Sequence, residues 1–314
     1  MIRVTNLTKW YGSFVAVDNI SFEVEGGGVV GFLGPNGAGK TTTIRILTCY
    51  HPATSGSATI ANFDVFADSL EVRRRIGYLP ESTPLYPEMR VREYLNFRGK
   101  LRGLDHSERG EAIRRVTNRC WLTEFIDRPI GQLSKGMRQR VGLADAIMHD
   151  PPVLILDEPT IGLDPTQIRE TRNLIRELGE RHTVLLSSHI LHEVEQTCSR
   201  AIIIASGRIL ASGSPRELRE RFSAQGRVVA ELKGPVHEVE KGVRAINGVR
   251  DLELTSDNGW VRLSVQPKPE CDIREDLFRL THSQGWPLRE LHREGATLED
   301  FFVKIIAEQQ QRKQ

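Results

Sequence analysis

A glycine-rich segment near the amino terminus reads Gly34-Pro35-Asn36-Gly37-Ala38-Gly39-Lys40-Thr41-Thr42. It follows the apolar run of residues 29–33, and a helical pattern containing Ile44 and Leu47 comes after it. The order G-x-x-x-x-G-K-T between a strand and a helix predicts a phosphate-binding loop, because glycines let backbone N–H groups surround phosphate oxygens. In such a loop Lys40 would bring positive charge to the β- and γ-phosphates, and the Thr41 hydroxyl would bind Mg²⁺.

A second apolar run, residues 153–156, ends in Asp157-Glu158-Pro159-Thr160. Ligands of open α/β sheets bind at the carboxyl ends of the strands, so both carboxylates would lie beside the phosphate loop. We expect Asp157 to hold Mg²⁺ through water and Glu158 to act as general base toward the attacking water. A carboxylate pair alone is more often a turn signal, but its combination with the phosphate loop indicates a nucleotide-hydrolysing site.

The chain divides into two segments, with the boundary expected near residues 222–226. Residues 1–222 form the first segment, in which the two apolar runs already named and residues 184–186 are typical of parallel strands buried on both faces. Residues 15–24 alternate apolar and polar side chains, which indicates a half-exposed antiparallel strand. The helical pattern of residues from about 82 to 148 predicts an inserted helical subdomain. The fold expected for this segment is an α/β nucleotide-binding core.

Residues 227–308 predict a smaller α+β domain. The expected elements, in order, are a strand, a helix, two strands, a helix, a strand and a final helix. They fall at residues 227–232, 237–246, 249–254, 260–265, 273–284, 288–291 and 298–307. The βαββαβ order of the first six elements matches a ferredoxin-like unit.

A third motif reads Leu133-Ser134-Lys135-Gly136-Met137, before a helix expected over residues 138–148. This motif resembles the LSGGQ signature of ATP-binding subunits of ABC transporters. Taken with the phosphate loop and the carboxylate pair, it gives a resemblance to that family that covers residues 1–222. It implies a P-loop ABC-type ATPase with ATP and Mg²⁺ as its cofactors, antiparallel β and helical subdomains, and a homodimer or a pair with a homologous ATPase. Ser134 and Gly136 would then contact the γ-phosphate held by the other subunit.

Three more residues match family motifs. Tyr11 corresponds to the aromatic residue that stacks on adenine, and Asp164 to the D-loop residue that couples the two nucleotide sites. His189 corresponds to the switch histidine, which would reach the γ-phosphate and orient Glu158 and the water. The resemblance thus implies Glu158 and His189 as the catalytic pair.

Two residues depart from the family pattern. Glu81 stands where a glutamine is usual, so an oxygen that can face Mg²⁺ or water is kept while the amide donor is lost. Met137 replaces the last glutamine of the signature, and we expect the change to be tolerated because Ser134 and Gly136 carry the main contacts.

Two segments resemble export-type members of the family. Residues 78–86 resemble a subset that includes gliding-motility-associated subunits, and residues 297–302 look like the end of the accessory domain found after many ABC-2-type export ATPases. The resemblance implies an exporter with separate polytopic transmembrane permease subunits, and a place for this chain on the cytoplasmic face of the cell membrane.

Composition limits the other possibilities. The 314 residues include 43 Lys plus Arg and 41 Asp plus Glu, so the formal net charge is +2 and gives no electrostatic argument for nucleic acid as a partner. The mean hydropathy is −0.34, and no run approaches the ~18 apolar residues of a membrane span. We therefore expect neither a spanning segment nor a signal peptide. Four cysteines spread far apart indicate reduced thiols.

Two alternatives share part of the pattern. A soluble ABC-type ATPase acting on nucleic acid or ribosomes would use the same site, but such proteins usually carry two ATPase units in one chain, a long coiled coil or a basic arm. The sequence shows none of these. A regulatory module that binds ATP without hydrolysing it would not need Asp157, Glu158 and His189 together.

Overall fold

The computed structural model describes residues 1–218, 227–268 and 271–294. The chain forms two units, Met1–Pro215 and Arg216–Gln314. The boundary predicted near residues 222–226 lies outside the described residues. Within the described ranges, no helix is both long enough and apolar enough to cross a bilayer.

The first unit alternates strands and helices. Its strands are β1 (Ile2–Tyr11), β2 (Phe14–Val24), β3 (Gly28–Leu33), β4 (Ser55–Ile60), β5 (Phe63–Asp64), β6 (Ile76–Leu79), β7 (Val153–Asp157), β8 (Thr183–Ser188), β9 (Arg200–Ala205) and β10 (Arg208–Gly213). Its α-helices are α1 (Lys40–Leu47), α2 (Ser69–Arg75), α3 (Val91–Leu101), α4 (His106–Arg119), α5 (Lys135–Ile147), α6 (Pro165–Gly179) and α7 (Leu191–Thr197).

Two sheets of the first unit share one core. The six-stranded sheet has the order β10-β9-β3-β8-β7-β6, in which the five strands from β9 to β6 are parallel and β10 is antiparallel. The antiparallel sheet has the order β2-β1-β4-β5. One apolar cluster joins Leu7 and Ile20 of the antiparallel sheet to Phe32 and Ile155 of the parallel sheet. Helix α1 contacts strands of both sheets, so the loop before it is anchored between them.

Burial explains why the central strands are apolar. All five residues of β7 are buried, with α1 against β7 and α6 against β3 and β8. A strand covered on both faces excludes water from both rows of side chains, so both rows are hydrophobic. The parallel strands predicted from residues 29–33, 153–156 and 184–186 are confirmed as β3, β7 and β8.

The helix after residues 133–137 begins earlier than predicted. We expected it over residues 138–148, but α5 begins at Lys135, so that Gly136 and Met137 lie in its first turn. The Ser134 hydroxyl accepts a hydrogen bond from the Met137 amide at 3.2 Å and caps the helix. The predicted start was wrong by three residues, because the Ser134 cap begins the helix directly and residues 135–137 of the signature form its first turn.

The second unit contains β11 (Arg227–Leu232), α8 (Val236–Arg244), β12 (Val249–Asp257), β13 (Trp260–Pro267), α9 (Arg274–Ser283) and β14 (Leu288–Glu294). The sheet order is β12-β13-β11-β14 with antiparallel neighbours throughout, and one core includes Ala230, Leu263 and Leu277. This order confirms the ferredoxin-like arrangement. The helix predicted over residues 298–307 and the segment 297–302 lie outside the described residues.

A close backbone approach at Gly77 holds α5 against β6. A Cβ atom at Gly77 would lie 2.0 Å from the carbonyl oxygen of Ala146 and 2.7 Å from a methyl carbon of Leu154. We expect Gly77→Ala to lower the free energy of unfolding by about 2–3 kcal/mol, because the carbonyl cannot move without shifting the helix.

Chemical denaturation of the purified chain measures this loss. The control is Gly110→Ala in α4, where a Cβ meets no atom within 4 Å and alanine should add up to about 1 kcal/mol through helix propensity. Equal unfolding midpoints for Gly77→Ala and the parent chain would contradict the tight approach.

Candidate active site

A cavity of about 430 Å³ lies over the predicted phosphate loop. It brings together residues from five separated segments of the first unit. Its lining consists of Phe14, Ala16, Asn36, Gly37, Gly39, Lys40, Thr41, Thr42, Glu81, Glu158, Ile161 and His189. Six of the predicted loop residues therefore meet the carboxylate at 158, the histidine at 189 and the substituted position at 81 at one place, whereas Gly34, Pro35 and Ala38 do not line the cavity.

The loop turns into α1 at Gly39. This residue has a φ of +105°, and a Cβ atom on it would lie 2.7 Å from the carbonyl oxygen of Ala16. Only glycine accommodates both the left-handed backbone and the close approach of β2. The turn aims the amino terminus of α1 at the cavity, where free N–H groups and the helix dipole favour an anion.

Lys40 is a buried cation at the floor of the cavity. Its side chain is 6% exposed, and Nζ donates hydrogen bonds to the carbonyl oxygens of Gly34 at 2.7 Å and Pro35 at 3.3 Å. Nζ also lies 3.4 Å from Oε1 of Glu158. The lysine therefore has one carboxylate partner, which a phosphate group could replace.

Asp157 presents a buried carboxylate with one free oxygen. The residue is 1% exposed; Oδ1 accepts a hydrogen bond from the Ser187 hydroxyl at 2.5 Å, and Oδ2 has no hydrogen-bond partner among the residues that the structure describes. Burial raises the pKa of Asp157, although the hydroxyls of Ser187 and Thr41 favour its charged form. A buried carboxylate oxygen without a donor, next to the Thr41 hydroxyl, fits a hard divalent cation such as Mg²⁺.

Glu158 and His189 form a hydrogen-bonded pair at the edge of the cavity. The distance from Nδ1 of His189 to Oε2 of Glu158 is 2.9 Å, and Glu158 is 5% exposed. Glu158 adopts a φ of +50°, and its amide donates to the Ser187 hydroxyl at 3.0 Å. A left-handed conformation of a non-glycine residue costs about 1–3 kcal/mol and persists only where neighbours hold it.

The signature residues lie at a different cavity. Ser134 and Met137 line a cavity of about 460 Å³ together with Trp121 and Arg140, and neither residue borders the cavity over the phosphate loop. The remaining signature positions are Leu133, which is buried, Lys135, which is exposed, and Gly136, which is buried. Within one chain, the structure therefore does not bring the signature to the phosphate loop.

Asp164 acts as a helix cap in this chain. Its Oδ1 accepts hydrogen bonds from the amides of Thr166 at 3.0 Å and Gln167 at 2.9 Å, at the start of α6. The segment before it is close to the signature, because a Cβ atom at Gly162 would lie 2.6 Å from Nζ of Lys135. The D-loop and signature positions thus adjoin each other in the same chain.

The aromatic residue at the cavity differs from the one that the sequence indicated. Tyr11 is exposed at the end of β1, with Nζ of Lys9 lying 5.2 Å from the centre of its ring, and it does not line the cavity. Phe14, its partner across the β1–β2 hairpin, does. The sequence places Trp10, Tyr11 and Phe14 at the turn of this hairpin and does not distinguish which one borders the loop.

Sequence reasoning missed two polar residues, one that bonds the Asp157 carboxylate and one that bonds the backbone after Glu158. Ser187 pairs with Asp157 in the register of β8 and β7, a neighbour relation that the two predicted parallel strands would have suggested. Gln139 in α5 is 4% exposed; its amide nitrogen donates to the carbonyl of Pro159 at 3.3 Å, and its oxygen accepts from the Thr83 hydroxyl at 3.1 Å. No local sequence pattern indicates these contacts of Gln139.

Comparisons with known proteins identify similar chains. The family model described as "ABC transporter" matches residues 17–161. The bacitracin transport ATP-binding protein BcrA of Bacillus licheniformis is 36% identical over 311 residues, or 98% of this chain and 97% of that protein. The Nod factor export ATP-binding protein I of Cupriavidus metallidurans is 34% identical over 97% of each chain. Both relatives extend over the second unit as well as the first.

A solved structure resembles the first unit in particular. It is a dimeric ATP-binding cassette in a post-hydrolysis state, bound to ADP and Pi. It superposes with a TM-score of 0.63 at 26% sequence identity, and the match covers 68% of this chain and 98% of that one.

The hydrogen bond between Ser187 and Asp157 gives a pH-dependent prediction. Ser187→Ala removes a donor that lowers the pKa of Asp157, so the pKa rises further above its usual range. Because the ionised carboxylate is the form that binds Mg²⁺, protons displace the metal as the pH falls. The apparent Mg²⁺ affinity should therefore begin to fall at a higher pH in the variant than in the parent chain.

Mg²⁺ titrations of nucleotide binding across a pH series measure this shift. Ser199→Ala is the matched control, because its hydroxyl donates to the carbonyl of Val29 instead of to a carboxylate. Superimposable pH dependence in Ser187→Ala and Ser199→Ala would contradict the role given to Ser187.

Proposed function

This chain belongs to the family of ATP-binding subunits of ABC transporters, and we propose that it powers an ABC-2-type exporter whose membrane-spanning subunits are separate chains. As a member of that family it binds and hydrolyses ATP. The observation that carries the exporter proposal is the full-length match to subunits named for bacitracin transport and Nod factor export. These relatives favour transport over the alternative of an ATPase that acts on nucleic acid or ribosomes.

Hydrolysis in this site requires a proton acceptor and a cation. Glu158 is the acceptor, since its carboxylate borders the cavity and His189 fixes one of its oxygens. Lys40 is the cation that meets the charge on the γ-phosphate. Its present partner is Glu158 at 3.4 Å, so a phosphate that takes over the lysine would release the carboxylate to face the attacking water.

The ATP contacts that we propose follow the loop. Backbone N–H groups of residues 34–42 surround the phosphates, and either aromatic residue of the β1–β2 hairpin, Tyr11 or Phe14, offers a π-face to the adenine base. Thr41 and Asp157 would hold Mg²⁺, which when bound would neutralise charge on the phosphate oxygens. The hydrogen-bond-free Oδ2 of Asp157 supports this assignment.

A second copy, or a homologous ATPase, would complete the site. Ser134 and Gly136 at the start of α5 can offer a hydroxyl and backbone N–H groups to an anion, yet they lie outside the cavity of their own phosphate loop. ATP drives closure of such a pair only if it binds the closed form more tightly than the open form. Contacts from two subunits to one γ-phosphate supply that difference.

The membrane partner would dock on the helical part of the first unit and the segment around Glu81. Glu81 lines the nucleotide cavity, and Thr83 in the same segment is hydrogen-bonded to Gln139, which contacts the backbone beside Glu158. A partner that moves this segment would therefore act on the backbone next to Glu158 through the side chain of Gln139. The chain would bind peripherally to the cytoplasmic face of the membrane; the resemblance of residues 78–86 to gliding-motility-associated subunits stays a prediction.

Substitution of the proposed base separates binding from hydrolysis. Glu158→Gln should bind ATP with an affinity close to that of the parent chain and hydrolyse it ~10²–10⁴-fold more slowly, because the amide cannot accept the proton. Lys40→Ala is the contrasting variant and should lose nucleotide binding itself. Equilibrium binding of a fluorescent ATP analogue and single-turnover hydrolysis measure the two properties, and normal turnover by Glu158→Gln would overturn the assignment.

Purification from membranes tests the transport role. The tagged full-length chain, isolated with detergent from its native cells, should bring down a polytopic membrane protein in a stable ratio. A Lys40→Ala chain serves as a control, because docking on the permease does not require bound nucleotide. Recovery of RNA, DNA or ribosomal proteins in place of a membrane protein would count against the transporter assignment.

A further inference from the structure

A buried carboxylate that belongs to none of the motifs lies next to the active site. Glu193 is in α7 and is 3% exposed. It follows His189 in the chain but belongs to none of the motifs described above. A carboxylate withdrawn from water to this degree requires partners that compensate for its desolvation. Those partners lie on the two segments that carry the catalytic pair.

One oxygen of Glu193 joins both segments. Oε2 accepts a hydrogen bond from the hydroxyl of Thr160 at 2.7 Å, and Thr160 is two residues after Glu158. The same Oε2 accepts from the hydroxyl of Ser188 at 3.3 Å, and Ser188 directly precedes His189. A single atom therefore connects the loop after β7 with the end of β8.

The charge of Glu193 strengthens these bonds. Nη2 of Arg172, in α6, lies 3.6 Å from Oε1 and supplies a cation on the side away from the hydroxyls. Hydrogen bonds to an ionised acceptor are roughly twice as strong as neutral ones. An uncharged side chain of the same shape would retain an acceptor oxygen but lose both the charge assistance and the attraction to Arg172.

The hydrogen bond from Thr160 to Glu193 holds the segment after β7, whose backbone conformation depends on neighbouring residues. Glu158 has a left-handed backbone, and Ser187 fixes its amide while Gln139 fixes the carbonyl of Pro159. Thr160 is the next point at which the segment is held, and Glu193 holds it. Release at Thr160 would let the peptide after Glu158 relax and would alter the 2.9 Å contact between Glu158 and His189.

We propose that Glu193 is a positioning residue for ATP hydrolysis, which holds the Glu158–His189 pair in register through Thr160 and Ser188. The inference rests on the proposed roles of Glu158 and His189. It assigns Glu193 no contact with ATP, so its removal should slow the hydrolysis step and leave nucleotide binding nearly unchanged.

The test compares Glu193→Gln with the parent chain in steady-state hydrolysis of MgATP, which gives kcat and KM, with equilibrium binding of MgATP as an independent measure of affinity. We expect kcat to fall by ~10- to 100-fold, the usual effect of a group that orients a reacting side chain. The KM for ATP should change by less than about threefold, since a group that acts only on the transition state alters kcat. Glu180→Gln is the matched control: it removes an exposed carboxylate at the end of α6 and should leave both values unchanged.

A double-mutant cycle distinguishes positioning from general destabilisation. Once Glu158→Gln has removed the base, adding Glu193→Gln should reduce the residual hydrolysis by less than about twofold, because residues that act as a unit are not additive. Full multiplication of the two losses would overturn the proposal. Normal turnover by Glu158→Gln alone would overturn the base assignment instead, so the two failures are distinguishable.

If Glu193→Gln does not fold, Thr160→Val tests the same proposal. This variant removes the hydroxyl donor with little change of shape, and it should reproduce the loss of kcat without a rise in KM. A kcat within about twofold of the parent chain in Thr160→Val would overturn the proposal, because Thr160 makes the shorter of the two hydrogen bonds through which Glu193 acts.

Discussion

The first unit is organised around the burial of two carboxylates at the carboxyl end of β7. Asp157 and Glu158 are almost fully withdrawn from water, a condition that destabilises the fold by several kcal/mol per ion unless partners compensate. Lys40 provides a cation, and Ser187 and His189 provide hydrogen bonds. The phosphate loop, β7 and β8 must be in register for these partners to meet. The fold and the catalytic site are therefore stabilised by the same contacts.

The same contacts leave the site ready for a nucleotide. Glu158 is paired with Lys40 on one oxygen and with His189 on the other. In the function that we propose, a γ-phosphate would compete with the first interaction and leave the second in place, so ligand binding would exchange one buried ion pair for another. Asp157 keeps an oxygen that no donor in the described part of the chain uses. Substrate and metal would thus replace interactions that the protein makes incompletely by itself.

Coupling to a membrane partner has a physical basis in the backbone after β7. Gln139 links Pro159 to Thr83, in the segment that contains Glu81. On the opposite side, Glu193 links the following residue to α7. The strained residue at position 158 lies close to both of these hydrogen-bonded attachments. With a partner docked as we propose, a displacement of the helical part would reach Glu158 over a few hydrogen bonds.

The sequence by itself determined the chemistry and the fold class of this protein. Phosphate binding demands residues 34–42 in their order, hydrolysis demands carboxylates at the end of a buried strand, and apolar runs reveal parallel strands because burial selects for them. Only the tertiary structure decided which other residues support the site. Thr160 and Glu193 are 33 positions apart, and Gln139 and Pro159 are 20 apart. Thr160, Glu193 and Gln139 are ordinary polar residues in any local window, and Pro159 contributes only a backbone carbonyl, so these groups become partners only when strands and helices pack together.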